Sequence, residues 1–259
     1  PFDWAGQVTA VAALAALTYG IIEGAEAGYG SPAILTLFGI SAISIAAFVT
    51  TQSKGRHPMI PLDLFRSRAV STALIIAVVT MAAFYGIVFV QSLYFQQERG
   101  SSALETGLLF LPMTALVAIL NPWVARLMAR YGHVAMIAAG QLIMAAGLIS
   151  LCLLPADAPV MVVAAFMIPV GVGGSFTVPP IIAQVMDNAT VERAGTASGV
   201  VNTARQVGGS LGVAIFGAVL ASGEFMSGLR ASLGATPVLL VILVVVSLAP
   251  QRRSQPTRN

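Results

Sequence analysis

The most regular feature of this sequence is a series of apolar segments separated by short charged connections. Eight intervals contain no Asp, Glu, Lys or Arg: 4–22, 27–53, 69–97, 106–125, 131–156, 158–186, 206–223 and 231–251. Each is about as long as the roughly 20 residues that an α-helix needs to cross the hydrocarbon core of a bilayer. The pattern therefore predicts eight transmembrane helices.

Composition excludes a soluble protein. Charged residues make up 9% of the 259 residues and hydrophobic residues 57%, whereas soluble domains are about 25% charged. So few charged residues could not cover a water-exposed surface. We therefore predict an all-α integral membrane protein. The sequence pI is near 9.4, but the basic residues lie in short connections, which indicates membrane topology and not a nucleic-acid partner.

The positions of Lys and Arg predict how the helices are oriented. If the connections alternate between the two sides of the membrane, one side receives Lys54, Arg56, Arg66, Arg68, Arg126, Arg130, Arg193, Arg205, Arg252, Arg253 and Arg258. The other side receives Arg99 and Arg230. Because cytoplasmic connections are enriched in Lys and Arg, both chain ends are predicted to be cytoplasmic.

The predicted seventh helix is rich in small residues. Residues 192–217 begin as a polar segment and become apolar without a turn signal, and they place Gly195 four residues before Gly199 and Gly208 four before Gly212. This spacing lets two helix backbones approach closely within a membrane. In water each glycine would cost a helix about 1 kcal/mol relative to alanine. The two pairs therefore predict tight helix packing in lipid.

The sequence of the same helix resembles that of a known protein family. The residues that carry the resemblance are Arg193, Gly195, Ser198, Gly199, Asn202, Arg205, Gln206, Gly208, Gly209, Gly212 and Ala214. They are similar to the penultimate-helix signature of the fourteen-helix drug:proton antiporters of the major facilitator superfamily, the EmrB/QacA type. Residues 2–6 resemble the start of that family's seventh helix, and residues 93–96, Gly100, Gly107 and 111–112 resemble its ninth helix and the segment after it.

This resemblance implies an arrangement for the whole chain. The arrangement comprises a central helix pair (1–52), a cytoplasmic connection (53–68), a C-terminal six-helix bundle (69–250) and a cytoplasmic tail (251–259). Because the family's first six helices have no counterpart here, we expect the chain to be a fragment of a longer transporter in the bacterial plasma membrane. The implied activity is export of amphipathic organic compounds, cationic or neutral, in exchange for protons, without a cofactor. The implied partners are lipid, substrates, protons, the N-terminal half and a periplasmic adaptor.

One face of the third helix could line a substrate path. Residues spaced by three or four along it are Thr80, Phe84, Ile87, Gln91, Tyr94 and Glu98. Polar and aromatic groups on one stripe suit a cavity for amphipathic molecules, although they suit interhelical packing equally well. We take Thr80, Phe84, Gln91 and Tyr94 as substrate-path candidates. Glu98 is the best local proton-coupling candidate, since no carboxylate lies near the middle of a predicted helix. The resemblance implies that the main coupling acid lies in the N-terminal half.

Proline and glycine in the sixth helix predict a kinked segment that bends during transport. The residues concerned are Pro169, Gly171, Gly173, Gly174 and Pro179. Proline removes backbone hydrogen bonds and such residues absorb dihedral changes, although static close packing is the alternative. In the seventh helix we expect Gly199, Gly208 and Gly212 to pack closely. We expect Asn202, Arg205 and Gln206 to bond to neighbouring helices.

The remaining motifs predict no enzyme and no metal site. Residues 121–133 resemble the superfamily's basic cytoplasmic loop, with Ala129 where an acid is common. Residues 208–212 match the G-x-S-x-G pattern of serine hydrolases, but they lie in a helix without triad partners. His57 and His133 are both expected in loops, and Cys152 is the single cysteine, so neither a metal cluster nor a disulfide within the chain is predicted.

Two other functions fit the same pattern. One is a carrier for another solute, such as a metabolite or siderophore, which an efflux panel would separate from drug export. The other is a non-transporting membrane scaffold or receptor. In a scaffold, Gln91, Tyr94 and Glu98 should tolerate alanine without a change in drug resistance or proton flux.

Overall fold

Helices provide all the regular structure in the part of the chain that the computed structural model describes, residues 3–54, 65, 67–190, 193–221 and 223–248. They are α1 (Trp4–Ala27), α2 (Pro32–Lys54), α3 (Arg68–Leu93), α4 (Ala103–Tyr131), α5 (His133–Leu153), α6 (Val160–Asp187), α7 (Ala194–Ala221) and α8 (Phe225–Leu248). A π-helical turn, Tyr94–Glu98, continues α3. Eight helices within these residues are long and apolar enough to cross a membrane. The predicted all-α membrane fold is confirmed.

Polar caps and one glycine set several helix boundaries. At the start of α1, the Gly6 amide donates to Asp3 Oδ1 at 2.8 Å. At the start of α4, the Glu105 amide donates to Ser102 Oγ at 3.2 Å and the Ser102 amide donates to Glu105 Oε2 at 2.8 Å, which forms a capping box. Gly132 has a φ of 81°, a conformation that glycine adopts most readily. It alone separates α4 from α5.

Helix α4 is longer than the charge pattern predicts. The sequence predicts an end near residue 125 and a loop over 121–133, but α4 continues to Tyr131. Arg126 and Arg130 lie on this extension, and their guanidinium carbons are 5.1 and 5.4 Å from the ring centroids of Trp123 and Tyr131. Arginine is a good helix former whose long side chain reaches water. A charge therefore marks the edge of the apolar segment and not the end of the helix.

Two other helices are also longer than predicted. Within the charge-free intervals 27–53 and 231–251, the sequence predicts that helix two ends near residue 49 and that helix eight begins near residue 233. Helix α2 instead reaches Lys54, and α8 begins at Phe225 with the exposed Arg230 in its second turn. Most of the connection 53–68 and the tail 251–259 lie outside the described residues. So do Arg56, His57, Arg66, Arg252, Arg253 and Arg258.

Polar contacts show which helix ends lie together on one face of the bundle. His133 Nε2 lies 2.9 Å from Asp187 Oδ2, which joins the start of α5 to the end of α6. His133 is the first residue of α5, and not a loop residue as predicted. Nearby, Gln184 Nε2 donates to the Ala69 carbonyl oxygen at 3.3 Å, so the start of α3 lies on the same face.

The opposite face brings together the end of α3 and the turn between α5 and α6. The two terminal nitrogens of Arg99 donate to the carbonyl oxygens of Ala156 and Ala158 at 3.1 and 3.0 Å. The Tyr94 hydroxyl also donates to the Ala156 oxygen, at 3.2 Å. Helices α3 and α5 therefore run parallel to each other, and α6 runs antiparallel to both, which is the order that alternating membrane crossings require.

Helix α6 contacts three other helices of the bundle through its glycines. A Cβ on Gly171 would collide with Met113 of α4, and a Cβ on Gly173 would collide with the backbone of Gly140 in α5. Gly174 lies beside α3 and α5. The helix is continuous through Pro169 and Pro179. Close packing of small residues is what this geometry supports, and bending during transport stays a prediction.

Helices α1 and α2 form a hairpin that also contacts the rest of the bundle. The Ser41 hydroxyl, which is buried, donates to the Ala13 carbonyl oxygen at 2.9 Å. At the other end of the hairpin, Gln52 Nε2 donates to Asp3 Oδ2 at 2.6 Å. Helix α1 packs against α7 as well as α2. This second contact creates the groove described below.

Candidate functional site

The predicted polar stripe of α3 faces the interior of the bundle. Thr80 is fully buried, and Gln141 Nε2 of α5 donates to its hydroxyl at 2.6 Å. Phe84 lies against Gly174 of α6, with ring carbons within 4 Å of the position of a Cβ. Tyr94 is also buried. The structure thus brings Thr80 and Phe84 into contact with other helices, and their role in a substrate path stays a prediction.

Gln91 lies next to a very small cavity inside the bundle. The cavity has a volume of about 20 Å³ and is lined by residues of α3, α5, α6 and α8, including Gln91 and Tyr94. The Gln91 side chain is 2% exposed, and its Oε1 has no hydrogen-bond partner among the described residues. A cavity of this size holds about one water molecule. It cannot hold an organic substrate.

Glu98 lies at the end of the stripe but not in the interior. It is the last residue of the π-helical turn and is exposed to solvent. The neighbouring Arg99 donates to backbone carbonyls of the α5–α6 turn. Glu98 is therefore accessible from one face of the bundle, and its role in proton coupling stays a prediction.

The second glycine pair of α7 lies directly against the backbone of α3. A Cβ on Gly208 would overlap the Val78 carbonyl oxygen, and a Cβ on Gly212 would overlap that of Ala82. The contacts run in the same order along both helices, so α3 and α7 are parallel. No larger residue at either position would leave the two backbones this close.

The first glycine pair of α7 has no such neighbour. Among the described residues, no heavy atom lies within 4 Å of a Cβ built on Gly195 or Gly199, and both glycines are exposed. The close packing predicted for Gly199 is not formed within the described part of the chain. The contact of α7 with α3 begins further along the helix, at Gly208.

An exposed polar stripe runs along the same side of α7. Ser198, Asn202, Gln206 and Ser210 follow one another at intervals of four residues, and all four are exposed. None of their side chains forms a hydrogen bond with another described residue. The stripe extends over about 18 Å of helix at 1.5 Å per residue. The bonds to neighbouring helices that the sequence suggests for Asn202 and Gln206 are absent from the described structure.

Arg205 lies beside this stripe, about 16 Å along α7 from Ala194 at 1.5 Å per residue. It is half-buried, and its Nε is shielded from solvent without a hydrogen-bond partner among the described residues. The expected bond from Arg205 to a neighbouring helix is therefore also missing there. A cation so far along a membrane helix is costly and is usually turned toward water or a counter-charge.

Two residues of this polar stripe, Gln206 and Ser210, lie in the wall of a groove between α1, α3 and α7. The groove has a volume of about 440 Å³, and its walls include Thr18 and Ile22 of α1, Tyr85 of α3, and Gln206 and Ser210 of α7. The aromatic ring of Tyr85 lies over α7 because position 209 is glycine: a Cβ there would be 2.9 Å from Tyr85 Cδ2. Sequence analysis missed Tyr85, which is adjacent to the predicted Phe84.

A second cavity is larger but almost purely apolar. It has a volume of about 550 Å³ and lies between α3 and α7, where residues such as Leu74, Val78, Val200 and Val207 line it. Of its polar residues, Ser71 already donates to the Phe65 carbonyl oxygen at 2.7 Å. A site that distinguishes ligands needs placed polar groups. The groove between α1, α3 and α7 supplies more of them, so it is the better candidate site.

No metal site is formed by the described residues. They contain no group of three His, Cys, Asp or Glu side chains that could hold an ion. The contact between His133 and Asp187 is a single pair at the end of two helices.

Comparison with known proteins gives a family match over most of the chain. The family profile described as Major Facilitator Superfamily matches residues 3–213. The chain is also 32% identical over 221 residues to the multidrug resistance protein Stp of Mycobacterium tuberculosis, a match that covers 85% of this chain and 41% of that protein.

Two Streptomyces proteins are similar to a comparable extent. The tetracenomycin C resistance and export protein of Streptomyces glaucescens is 30% identical over 221 residues, covering 85% of this chain and 41% of the relative. The methylenomycin A resistance protein of Streptomyces coelicolor is 30% identical over 217 residues, covering 84% and 46%. The chain therefore spans less than half the length of these three relatives.

Proposed function

Because this chain belongs to the major facilitator superfamily, we propose that it is part of a transporter that exports drug-like organic compounds across a membrane. Its described helices make it a multi-pass membrane protein. The relatives described above are named as resistance and export proteins. Family membership also favours a transporter over an enzyme.

The observation that carries this proposal is the exposed polar stripe of α7 together with the groove beside it. Hydroxyl and amide groups without partners are costly in hydrocarbon, so a membrane helix turns them toward water or protein. Ser198, Asn202, Gln206 and Ser210 have no partners among the described residues. The groove of about 440 Å³ falls within the usual size range of small-molecule sites. A path for organic compounds accounts for both features.

Energy coupling and orientation are part of the same proposal. We propose that export is driven by proton entry, with Glu98 as the local candidate for the coupling carboxylate, because it is exposed at the end of α3. The face that carries Arg126, Arg130 and Arg193 would be cytoplasmic, as the distribution of basic residues favours. A periplasmic adaptor and a preceding six-helix half stay predictions.

The proposed export is tested by expressing the complete gene for this chain in a bacterium that lacks its own efflux pumps. We expect expression to lower the accumulation of fluorescent drug-like compounds. We also expect it to raise the drug concentration that is needed to stop growth. Tyr85→Ala and Gln206→Ala should each weaken this effect several-fold at unchanged membrane abundance, because they remove the ring and the side-chain amide that line the groove. Ile215→Ala is the matched control, since Ile215 is exposed on α7 and does not line the groove.

Two outcomes would contradict the proposal. If no compound in a broad panel is exported by the unmodified protein, a carrier for another solute or a scaffold is the better function. If export is unaffected by both groove substitutions, the groove is not the site. Proton coupling is tested separately, since Glu98→Gln should remove the dependence of export on a pH gradient while leaving drug binding intact.

A further inference from the structure

We infer that the groove between α1, α3 and α7 selects aromatic compounds that carry hydrogen-bonding oxygens and no positive charge. The inference rests on the proposed export function and narrows it to a class of substrate. Three properties of the groove support it: a positioned aromatic ring, hydrogen-bonding groups without partners, and the absence of a carboxylate from the lining that the structure describes.

The aromatic ring belongs to Tyr85. Its side chain is 42% exposed, so a ring face or edge is open to a ligand. Gly209 allows the ring to approach α7, and Phe84 packs against it edge to face, with ring centroids 5.6 Å apart and an interplanar angle of 89°. A ring held from two sides is a rigid surface for stacking another aromatic group.

The hydrogen-bonding groups are Thr18, Gln206, Ser210 and the Tyr85 hydroxyl. Hydroxyls in membrane helices often donate to the carbonyl one turn earlier, as Thr9 does to Ala5 at 2.7 Å in α1. The groove hydroxyls and the Gln206 amide form no hydrogen bond with any described residue. They can therefore bind carbonyl and hydroxyl oxygens of a ligand, since an amide and a hydroxyl each donate and accept.

Charge around the groove disfavours a cationic ligand. Two carboxylates follow the groove residues of α1, Glu23 directly after Ile22 and Glu26 one turn beyond it, and neither lines the groove. On α7, Arg205 directly precedes Gln206 and forms no ion pair with a described carboxylate. A cation in the groove would lose water without gaining a counter-charge and would lie near an arginine.

The test compares two flat aromatic probes of similar size that differ in charge. Emodin is an uncharged anthraquinone with several hydroxyl and carbonyl groups when protonated, and ethidium is a permanent cation. Cells that express the complete gene should accumulate less emodin than cells with the empty vector, while ethidium accumulation stays close to that of the empty vector. Export of ethidium equal to or greater than that of emodin would overturn the inference and uphold the proposed function. Export of neither probe, nor of any compound in the broader panel, would overturn both.

Two substitutions at one position sharpen this test. Gln206→Leu should reduce emodin export by about fivefold, the effect expected from losing one hydrogen bond. Gln206→Glu introduces a carboxylate into the groove and should confer ethidium export that the parent protein lacks. Membrane abundance is measured for each variant, and Ile215→Ala serves as the control. If Gln206→Glu is as abundant as the parent protein and still does not export ethidium, the missing carboxylate is not what excludes cations and the inference fails.

Discussion

The two glycine pairs of α7 have the same spacing and different surroundings. Gly208 and Gly212 lie on the backbone of α3, whereas Gly195 and Gly199 have no heavy atom within 4 Å of a built Cβ among the described residues. Both pairs carry the small-residue spacing that is typical of tight helix contacts. The spacing therefore permits a close contact but does not establish that a partner helix is present.

The two glycine pairs lie on different sides of α7. The second pair lies on the closed side, where Gly208 and Gly212 meet α3. The first pair lies with the exposed polar stripe of Ser198, Asn202 and Gln206. A helix with one closed and one open polar side is suited to form a wall of a transport path, because the closed side fixes its position while the open side meets the ligand.

The largest effect is expected at the closed side. Gly212→Ala should lower the free energy of unfolding by about 3 kcal/mol, because the new methyl group would overlap the backbone of Ala82, which cannot move aside like a side chain. Gly208→Ala should behave similarly at Val78. Thermal unfolding of the purified full-length protein in detergent measures both. An unchanged unfolding temperature for Gly212→Ala would show that α3 and α7 are not in backbone contact there.

A polar contact between α5 and α3 should have the next largest effect. Gln141 donates to the buried Thr80 hydroxyl at 2.6 Å. Gln141→Leu should cost about 2 kcal/mol, because it leaves that hydroxyl buried without a partner. The double variant with Thr80→Val should recover part of this loss in the same unfolding experiment. Additive losses from the two substitutions would argue against the hydrogen bond.

Gly209 lies between the closed side and the groove, and its substitution should separate stability from transport. The added methyl of Gly209→Ala would be 2.9 Å from Tyr85 Cδ2, and an aromatic side chain can shift. We expect a stability loss of only about 1 kcal/mol. Emodin export should fall by more than the small loss of stability can explain, because the Tyr85 ring is displaced. Normal export with a clearly lowered unfolding temperature would contradict the role assigned to the ring.

The smallest effect is expected at the open pair. Gly199→Ala should leave the unfolding temperature unchanged or raise the stability by about 0.5 kcal/mol, because alanine favours the helix and the added methyl meets nothing in the described structure. A loss comparable to that of Gly212→Ala would remove the difference between the two pairs. Lost transport at normal stability would instead indicate that this side contacts another part of the transporter.

Prediction from sequence succeeded where the physical cause is local. The length of each apolar segment and the charged connections between the segments predict eight membrane helices, and the described residues form eight helices of sufficient length and hydropathy. Helix ends were less accurate, since α4 continues past Arg126 and α8 begins before Arg230. Arginine does not break a helix. Charge therefore locates the boundary of the hydrocarbon core better than the boundary of the helix.

The sequence did not predict which residues of α3 line the candidate site. Thr80 and Gln91 recur at helical spacing and were selected because they are polar, but both are buried between helices. Tyr85, one residue from the predicted Phe84, is the α3 residue that lines the groove. Helical periodicity groups the residues of one face, but it does not say which face meets a neighbouring helix.

The sequence by itself determined that this chain crosses a membrane as helices, because backbone hydrogen bonds must be satisfied within each apolar segment. It also determined where α7 could be approached closely, through the spacing of its glycines. Only the tertiary structure decided which glycine pair meets α3 and which side of α7 stays open. The physical reason is that contacts between helices depend on how several segments pack at once, whereas helix formation in lipid depends on each segment alone.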